Sequence, residues 1–171
     1  MRHFNRKNIS RFSALMLVLL LLCSFTASYA ASKSFKKSDC GVKYGGKTFK
    51  LGNSYSSSDL KKAFGKWDKR EADIACSFGY ATYKYTFKSK GIVIETLKKK
   101  QKDKKEQIIS IELKKKNVPT LAGVKVGAKA STMVNKYGKP NDGGEWKNGN
   151  YRMGANKNND KISRIVFYID M

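Results

Sequence analysis

Hydrophobic and polar residues alternate strictly along residues 80–88, YATYKYTFK, and this pattern predicts a half-buried β-strand. Tyr83, Tyr85 and Phe87 fall on one face of the strand, and threonine and lysine fill the other. Such an aromatic face can stack on a sugar or a peptide, but strict alternation is what a strand on a hydrophobic core requires. We therefore expect this face to pack against a helix.

Shorter hydrophobic runs predict further strands on both sides of residues 80–88. The β-branched runs 91–97 and 107–113 flank a lysine-rich segment, so they indicate an antiparallel hairpin with a long basic loop. Upstream, hydrophobic residues on either side of Gly45 and Gly46 predict a short hairpin or a pair of edge strands. Both predictions place antiparallel strands next to each other along the chain.

A change of period near residue 56 predicts a helix of about two turns. One of the serines at 56–58 can cap its start, and Leu60 and Phe64 share one face. Gly65 supplies the left-handed stop. A helix this short is stable only when that face is packed against the rest of the protein.

The second half of the chain repeats this order of elements. Ser131 can cap a second helix that stops at Gly138, and Asn148 with Gly149 can form a hairpin turn before a last strand at 162–169. We interpret the fold class as α+β, with two tandem repeats, each a short helix followed by about three antiparallel strands. The repeats span residues 40–117 and 118–171.

The first thirty residues predict a cleavable export signal. Four basic residues and no acid precede the apolar run 14–23, which is shorter than the roughly 20 residues of a stable membrane span. Ser28 and Ala30 supply the small residues of a cleavage site, so we expect cleavage near Ala30 and a secreted or cell-envelope protein. A retained anchor is the alternative. Residues 31–39 would then form a flexible basic lead.

The net charge of the chain indicates the kind of partner that it binds, but it does not indicate a reaction. The chain has 36 Lys+Arg against 13 Asp+Glu, a net charge of +23. Cleavage removes four of the basic residues and leaves 32 against 13, or +19. Because 40% of the residues are hydrophobic, a disordered basic tail is excluded and a folded protein with an anionic partner is indicated. The oligomeric state does not follow from these numbers.

The few cysteines and the single histidine limit the covalent cross-links and the catalytic or metal sites that the chain can form. After cleavage Cys40 and Cys76 are the remaining cysteines, and we predict that they form a disulfide worth ~4 kcal/mol in the chain-entropy model. Cleavage also removes His3, the single histidine. Unless another chain supplies the imidazole, this excludes a Ser-His-Asp or Cys-His site and an imidazole-ligated metal in the mature protein. We therefore predict no catalytic residue, cofactor or metal.

Nine lysines lie in or beside the predicted hairpin of residues 91–113 and could form a single cationic arm. Such an arm would attract an anionic wall polymer or an acidic protein, and the alternative is a solvated loop that protects strand edges. Specific nucleic-acid binding is not expected, because arginine is sparse and no nucleic-acid motif is present. The nine are Lys98, Lys99, Lys100, Lys102, Lys104, Lys105, Lys114, Lys115 and Lys116.

Two tryptophans and two glutamates complete the candidate residues. Trp67 and Trp146 each follow a predicted helix and could line one binding surface, with core packing or loop anchoring as the favoured alternative. Glu95 and Glu112 lie on neighbouring predicted strands and are the candidates for a carboxylate-dependent hydrolase. Ion pairs with surrounding lysines on a solvated sheet face are the favoured interpretation of both.

An aromatic-Gly-Lys helix stop, preceded by Leu-Gly or Val-Gly and followed by antiparallel strands, resembles the β-lactamase-inhibitor-protein-like modules and the small lipoproteins of the outer-membrane assembly machinery. The resemblance implies tandem helix-plus-sheet units on an exported, disulfide-tolerant scaffold that binds another macromolecule without catalysis. No loop here matches the acidic inhibitory hairpin of the inhibitors, so their activity is not carried over. The matching residues are Gly52, Asp59, Phe64 and Gly65, and then Gly127, Val134, Tyr137, Gly138 and Pro140.

These observations predict an exported, non-catalytic binding module that associates with anionic cell-surface material or an acidic protein. A secreted inhibitor or an envelope assembly factor that uses the paired sheets is the alternative. A carboxylate-dependent hydrolase is the third and least favoured interpretation.

Overall fold

Ten β-strands and two α-helices make up the part of the chain that the structure, a computed structural model, describes: residues 34–75, 80–100 and 102–171. A short 3-10 turn at Lys37–Asp39 precedes them. The elements are, in chain order, β1 (Gly41–Tyr44), β2 (Lys47–Lys50), β3 (Ser54–Tyr55), α1 (Ser57–Phe64), β4 (Lys69–Ala75), β5 (Tyr80–Phe87), β6 (Ile92–Lys98), β7 (Glu106–Leu113), α2 (Ser131–Tyr137), β8 (Glu145–Asn148), β9 (Tyr151–Asn158) and β10 (Lys161–Ile169). The predicted α+β class is confirmed.

Eight of the strands form one antiparallel sheet. Its order is β4-β5-β6-β7-β10-β9-β8, and β3 pairs with the start of β7. β1 and β2 form a separate hairpin around Gly45 and Gly46, as predicted. The strand predicted at 80–88 is confirmed as β5, and the hairpin with the basic loop is confirmed as β6 and β7. β4 was not predicted and extends the sheet beyond β5.

Both helices bury hydrophobic side chains in one core on the sheet. Leu60 and Phe64 of α1 are 1% exposed, and Met133 and Tyr137 of α2 are 2% exposed. The ring centroid of Phe64 lies 5.3 Å from that of Phe87 on β5. The predicted packing of the aromatic face of β5 against the first helix is therefore confirmed.

The two helices begin differently. α1 has a capping box, in which the Asp59 N–H donates to Ser56 Oγ at 3.2 Å and the Ser56 N–H donates to the Asp59 carboxylate at 3.1 Å. Hydrogen bonds from Lys47 and Ser56 hold the pKa of Asp59 well below its usual range. The predicted cap at Ser131 is wrong, because Ser131 is already helical and Ala130 occupies the cap position without a side-chain hydrogen bond.

One described residue of the predicted flexible lead, Phe35, packs into the core. Phe35 is 4% exposed, and its ring meets that of Tyr137 edge-on at 6.0 Å. This burial corrects the predicted start of the fold, since the Phe35 side chain of the basic lead packs against Tyr137, the last residue of α2. The predicted signal at 1–30 lies outside the described residues. No helix in the part described here has the length and apolarity needed to cross a membrane.

Alkaline pH is expected to destabilise the fold through Tyr137, whose hydroxyl lies 3.0 Å from Thr120 Oγ1. Burial raises the pKa of Tyr137 from 10.0 to about 12. As the pH rises, the phenol loses its proton in the unfolded chain before it does so in the folded protein. The contribution of the neutral Tyr137 to the free energy of unfolding is therefore complete below pH 10 and disappears as the pH rises through about 12. Urea titrations at about pH 9 and about pH 11 give the drop in the free energy of unfolding between the two pH values. This drop should be smaller by about 1 kcal/mol in Tyr137→Phe than in the wild type. An equal loss in both proteins would contradict the prediction.

Candidate functional site

The nine candidate lysines fall into two groups at opposite ends of β7. Six lie on the segment 98–105 before the strand, which we call the lysine loop, and three follow it at 114–116. The eight residues of β7 separate the groups by roughly 25 Å. The single cationic arm considered from the sequence is therefore divided into two basic ends.

The lysine loop carries five net positive charges, from six lysines and Asp103. Asp103 closes a turn, since its carboxylate accepts a hydrogen bond from the Lys100 N–H at 3.1 Å and its own N–H donates to the Lys100 carbonyl at 3.0 Å. None of the six lysines forms an ion pair with any residue that the structure describes. The acid within the loop thus shapes its backbone, and the lysine charges remain available to solvent or to a ligand.

The second basic end is partly neutralised. The Lys114 N–H donates to the Gly91 carbonyl at 2.7 Å, so segment 114–116 lies beside the turn between β5 and β6. Lys88 and Lys90 of that turn add two more positive charges. Lys114 Nζ lies 3.3 Å from the Glu112 carboxylate. This end therefore has an acidic counter-charge within contact distance.

A buried carboxylate lies directly after the lysine loop. Glu106, the first residue of β7, is 6% exposed. Its carboxylate accepts hydrogen bonds from Tyr85 Oη at 2.8 Å and from Thr96 Oγ1 at 2.7 Å. Sequence reasoning missed it, since Glu106 continues a charged run and its partners come from two other strands. No pattern along the chain signalled this burial.

Arg70 on β4 covers the outer side of this carboxylate. Its Nε–H donates to Tyr85 Oη at 3.2 Å, and one terminal nitrogen lies 3.9 Å from Glu106. Its guanidinium carbon lies 4.2 Å from the ring centroid of Tyr83. Burial raises the pKa of Tyr85 to about 12, the Arg70 hydrogen bond lowers it, and the Glu106 hydrogen bond raises it. Tyr85 therefore stays a neutral donor at physiological pH.

Trp67 completes this group, which we call the Arg70 cluster: Trp67, Arg70, Tyr83, Tyr85, Thr96 and Glu106. The Trp67 ring is half-buried and meets the Tyr85 ring at 5.3 Å and 66°. Trp146 is 7% exposed on β8, and its indole N–H donates to the Gly138 carbonyl at 2.8 Å. Because β5 and β8 are five strand spacings apart, roughly 24 Å, the structure does not bring the tryptophans onto one surface.

Glu95 and Glu112 form the ion pairs that the sequence favoured. Glu95 lies 3.0 Å from Lys84 Nζ, and Glu112 contacts both Lys114 and Arg164. The two carboxylates lie on neighbouring strands β6 and β7. Each is thus held by a cation of its own.

Cys40 is a free, buried thiol in the structure, and burial raises its pKa to about 12. Its predicted partner Cys76 lies outside the described residues. The Cys40–Cys76 disulfide therefore stays a prediction.

Comparisons of the chain with protein-family models, with curated proteins and with solved structures found no match. The resemblance to inhibitor-protein-like modules therefore stays a prediction based on the helix stops and glycines. The function has to follow from the lysine loop and the Arg70 cluster.

Proposed function

We propose that the protein is an exported, non-catalytic binding module whose lysine loop associates with an anionic polymer of the cell surface. The observation that carries this proposal is the charge of the loop: six lysines with one acid, and no ion pair to any described residue. Flexible ammonium groups attract a chain of phosphates or carboxylates without fixing its register. Such binding weakens steeply as salt rises.

Retention on purified wall teichoic acid, measured across a salt series, tests the proposal. The wild-type protein should bind at low salt and elute as salt rises. Replacing Lys102, Lys104 and Lys105 by glutamine should weaken binding by about tenfold or more, because three unpaired charges are lost. Replacing the three lysines of 114–116 by glutamine is the matched control and should have a smaller effect, because that end has a counter-charge in Glu112.

Two results would overturn the proposal. One is absence of retention at low salt, and the other is retention that does not respond to salt. Equal effects of the two triple variants would assign the binding to net charge and remove the role of the loop.

A second candidate, a protein inhibitor or envelope assembly factor, draws support from a shallow depression of about 370 Å³ on the sheet. Val93, Val166 and Tyr168 line it together with the ion-paired Glu112 and Arg164. A partner seated there would bind tightly at high salt and would not respond to neutralisation of the lysine loop. The same salt series therefore separates the two candidates.

We also propose that the two halves are copies of one ancestral unit. Support comes from the pairing of β7 with β10, where Ile111 faces Phe167 as Leu113 faces Ile165. If Ile111 corresponds to Ile165 and Leu113 to Phe167, a two-fold rotation that exchanges β7 and β10 also exchanges these two facing pairs. Both helices also end with a buried aromatic residue followed by a glycine of positive φ.

The hydrogen bonds before each helix support the same correspondence. The Gly52 N–H donates to the Ile108 carbonyl at 2.8 Å, and the Gly127 N–H donates to the Ile162 carbonyl at 2.7 Å. Both glycines have a positive φ, 80° and 91°. The spacing from Ile108 to Ile111 equals that from Ile162 to Ile165. β4 has no counterpart among the described strands of the second half.

A further inference from the structure

Among the described residues, the protein holds one edge of the Arg70 guanidinium and forms no hydrogen bond with the other edge. The held edge consists of Nε, which donates to Tyr85 Oη, and the near side of Nη2, which lies 3.9 Å from Glu106. The outer edge, formed by the two terminal nitrogens, donates no hydrogen bond to the described part of the chain, and the side chain is 39% exposed. Such an edge can donate two parallel hydrogen bonds to a phosphate or a carboxylate.

Arg70 differs in this respect from the two other arginines that follow residue 30. Arg152 donates a hydrogen bond to the Asp170 carboxylate, and Arg164 forms a close ion pair with Glu112. The Arg70–Glu106 pair is longer, at 3.9 Å, and has no direct hydrogen bond. The terminal N–H groups of Arg70 therefore remain able to donate hydrogen bonds to a ligand, whereas Arg152 and Arg164 already use guanidinium N–H groups in ion pairs.

The fold orders Arg70 before any ligand arrives. The Tyr83 ring lies 4.2 Å beneath the guanidinium, and Tyr85 fixes its Nε. A flexible lysine loses side-chain freedom when it binds, whereas a stacked and hydrogen-bonded arginine has already lost most of it. Ordered donors discriminate between ligands by geometry, and mobile ammonium groups attract them by charge.

The Arg70 cluster is also joined to the lysine loop through the chain. Lys105 is the last lysine of the loop, and Glu106, the next residue, reaches into the cluster. On β6, Thr96 contacts Glu106 and Lys98 begins the loop two residues later. A polymer held by the loop is therefore adjacent to the strands that position Arg70.

We propose that Arg70 is a recognition residue that binds one oxyanion group, a phosphate or a carboxylate, of the polymer that the lysine loop attracts. This inference rests on the function proposed above. The loop supplies salt-dependent attraction, and the outer edge of Arg70 supplies the paired hydrogen bonds. Glu106, Tyr85 and Tyr83 position the guanidinium and do not touch the ligand.

The first test compares Arg70→Lys with the wild type in the teichoic acid assay. The substitution keeps the charge and removes the planar pair of donors, so binding should weaken by about tenfold while its dependence on salt stays the same. Arg164→Lys, in an ion pair away from the cluster, is the matched control and should bind as the wild type does. If Arg70→Lys binds like the wild type while the loop variant is weakened, the inference falls and the proposed function stands.

The second test uses the wild-type protein and therefore does not depend on a variant that folds. The NMR signal of the Arg70 Nε–H is followed during separate titrations with glycerol 3-phosphate and with glucuronate, with uncharged glycerol as control. A saturable shift with the phosphate alone assigns a phosphate site, and one with the carboxylate alone assigns a carboxylate site. Signals that move with neither anion, or equally with glycerol, overturn the inference.

Discussion

Replacing Phe64 by alanine is expected to lower the free energy of unfolding by about 3–5 kcal/mol. Phe64 is 1% exposed at the end of α1. Its ring centroid lies 5.3 Å from Tyr44, 5.0 Å from Phe49 and 5.3 Å from Phe87. These rings come from three separate strands, so the truncated side chain leaves a cavity that no single element can close. Urea unfolding followed by tryptophan fluorescence measures the loss.

Graded variants keep this prediction testable if the alanine variant does not fold. Phe64→Leu retains most of the volume and should lose about 1 kcal/mol. Val134→Ala, on α2 and 39% exposed, should change the stability by about 0.5 kcal/mol or less. A Phe64→Ala protein that is as stable as Val134→Ala would contradict the role of α1 in the core.

The burial of Phe64 was predictable from the sequence because it depends on local periodicity. Leu60 and Phe64 lie four residues apart, and Gly65 marks the stop. The strict alternation in β5 likewise identified a face that has to be covered. Where one face of an element is apolar and the other polar, the chain alone specifies which side chains meet the core.

β4 shows where that logic ends. Its sequence, KREADIA, carries charge on both faces and alternates polar and apolar residues only from Glu71 to Ile74. The strand is held by pairing with β5, from Lys69 opposite Thr86 to Ala75 opposite Tyr80. It pairs with no other described strand, since it lies at the edge of the sheet. An edge strand can be polar on both faces, and its pairing depends on a neighbour that the local sequence does not show.

The candidate site was only half predictable for a related reason. The lysine loop is visible as composition, whereas the Arg70 cluster requires β4, β5, β6 and β7 to be side by side. Its carboxylate, Glu106, comes directly after a lysine and looks like a solvated charge in the sequence. Only the pairing of the four strands reveals that its hydrogen-bond donors are Tyr85 and Thr96.

Replacing Glu106 by glutamine is expected to lower the free energy of unfolding by about 2 kcal/mol. The carboxylate accepts from two hydroxyl groups and lies 3.9 Å from Arg70. Both hydroxyl groups donate to the same carboxylate oxygen, Oε2, and a glutamine oxygen in that position offers them weaker, neutral hydrogen bonds in a buried site. The amide NH₂ group takes the place of Oε1, which also accepts from Tyr85 Oη at 3.0 Å and is the oxygen 3.9 Å from Arg70. The attraction to Arg70 is lost at the same time. Urea unfolding of the two proteins at the same pH measures the difference.

Glu95→Gln is the matched control, because it makes the same chemical change on the adjacent strand β6. The Glu95 side chain is 38% exposed and pairs with Lys84 at 3.0 Å. An exposed pair contributes about 0.5 kcal/mol or less, and added salt should remove that effect. The loss in Glu106→Gln should persist in high salt, because a buried carboxylate is screened far less than an exposed one. Equal losses in the two variants, or a Glu106→Gln loss that salt abolishes, would mean that Glu106 acts as a surface charge and does not position Arg70.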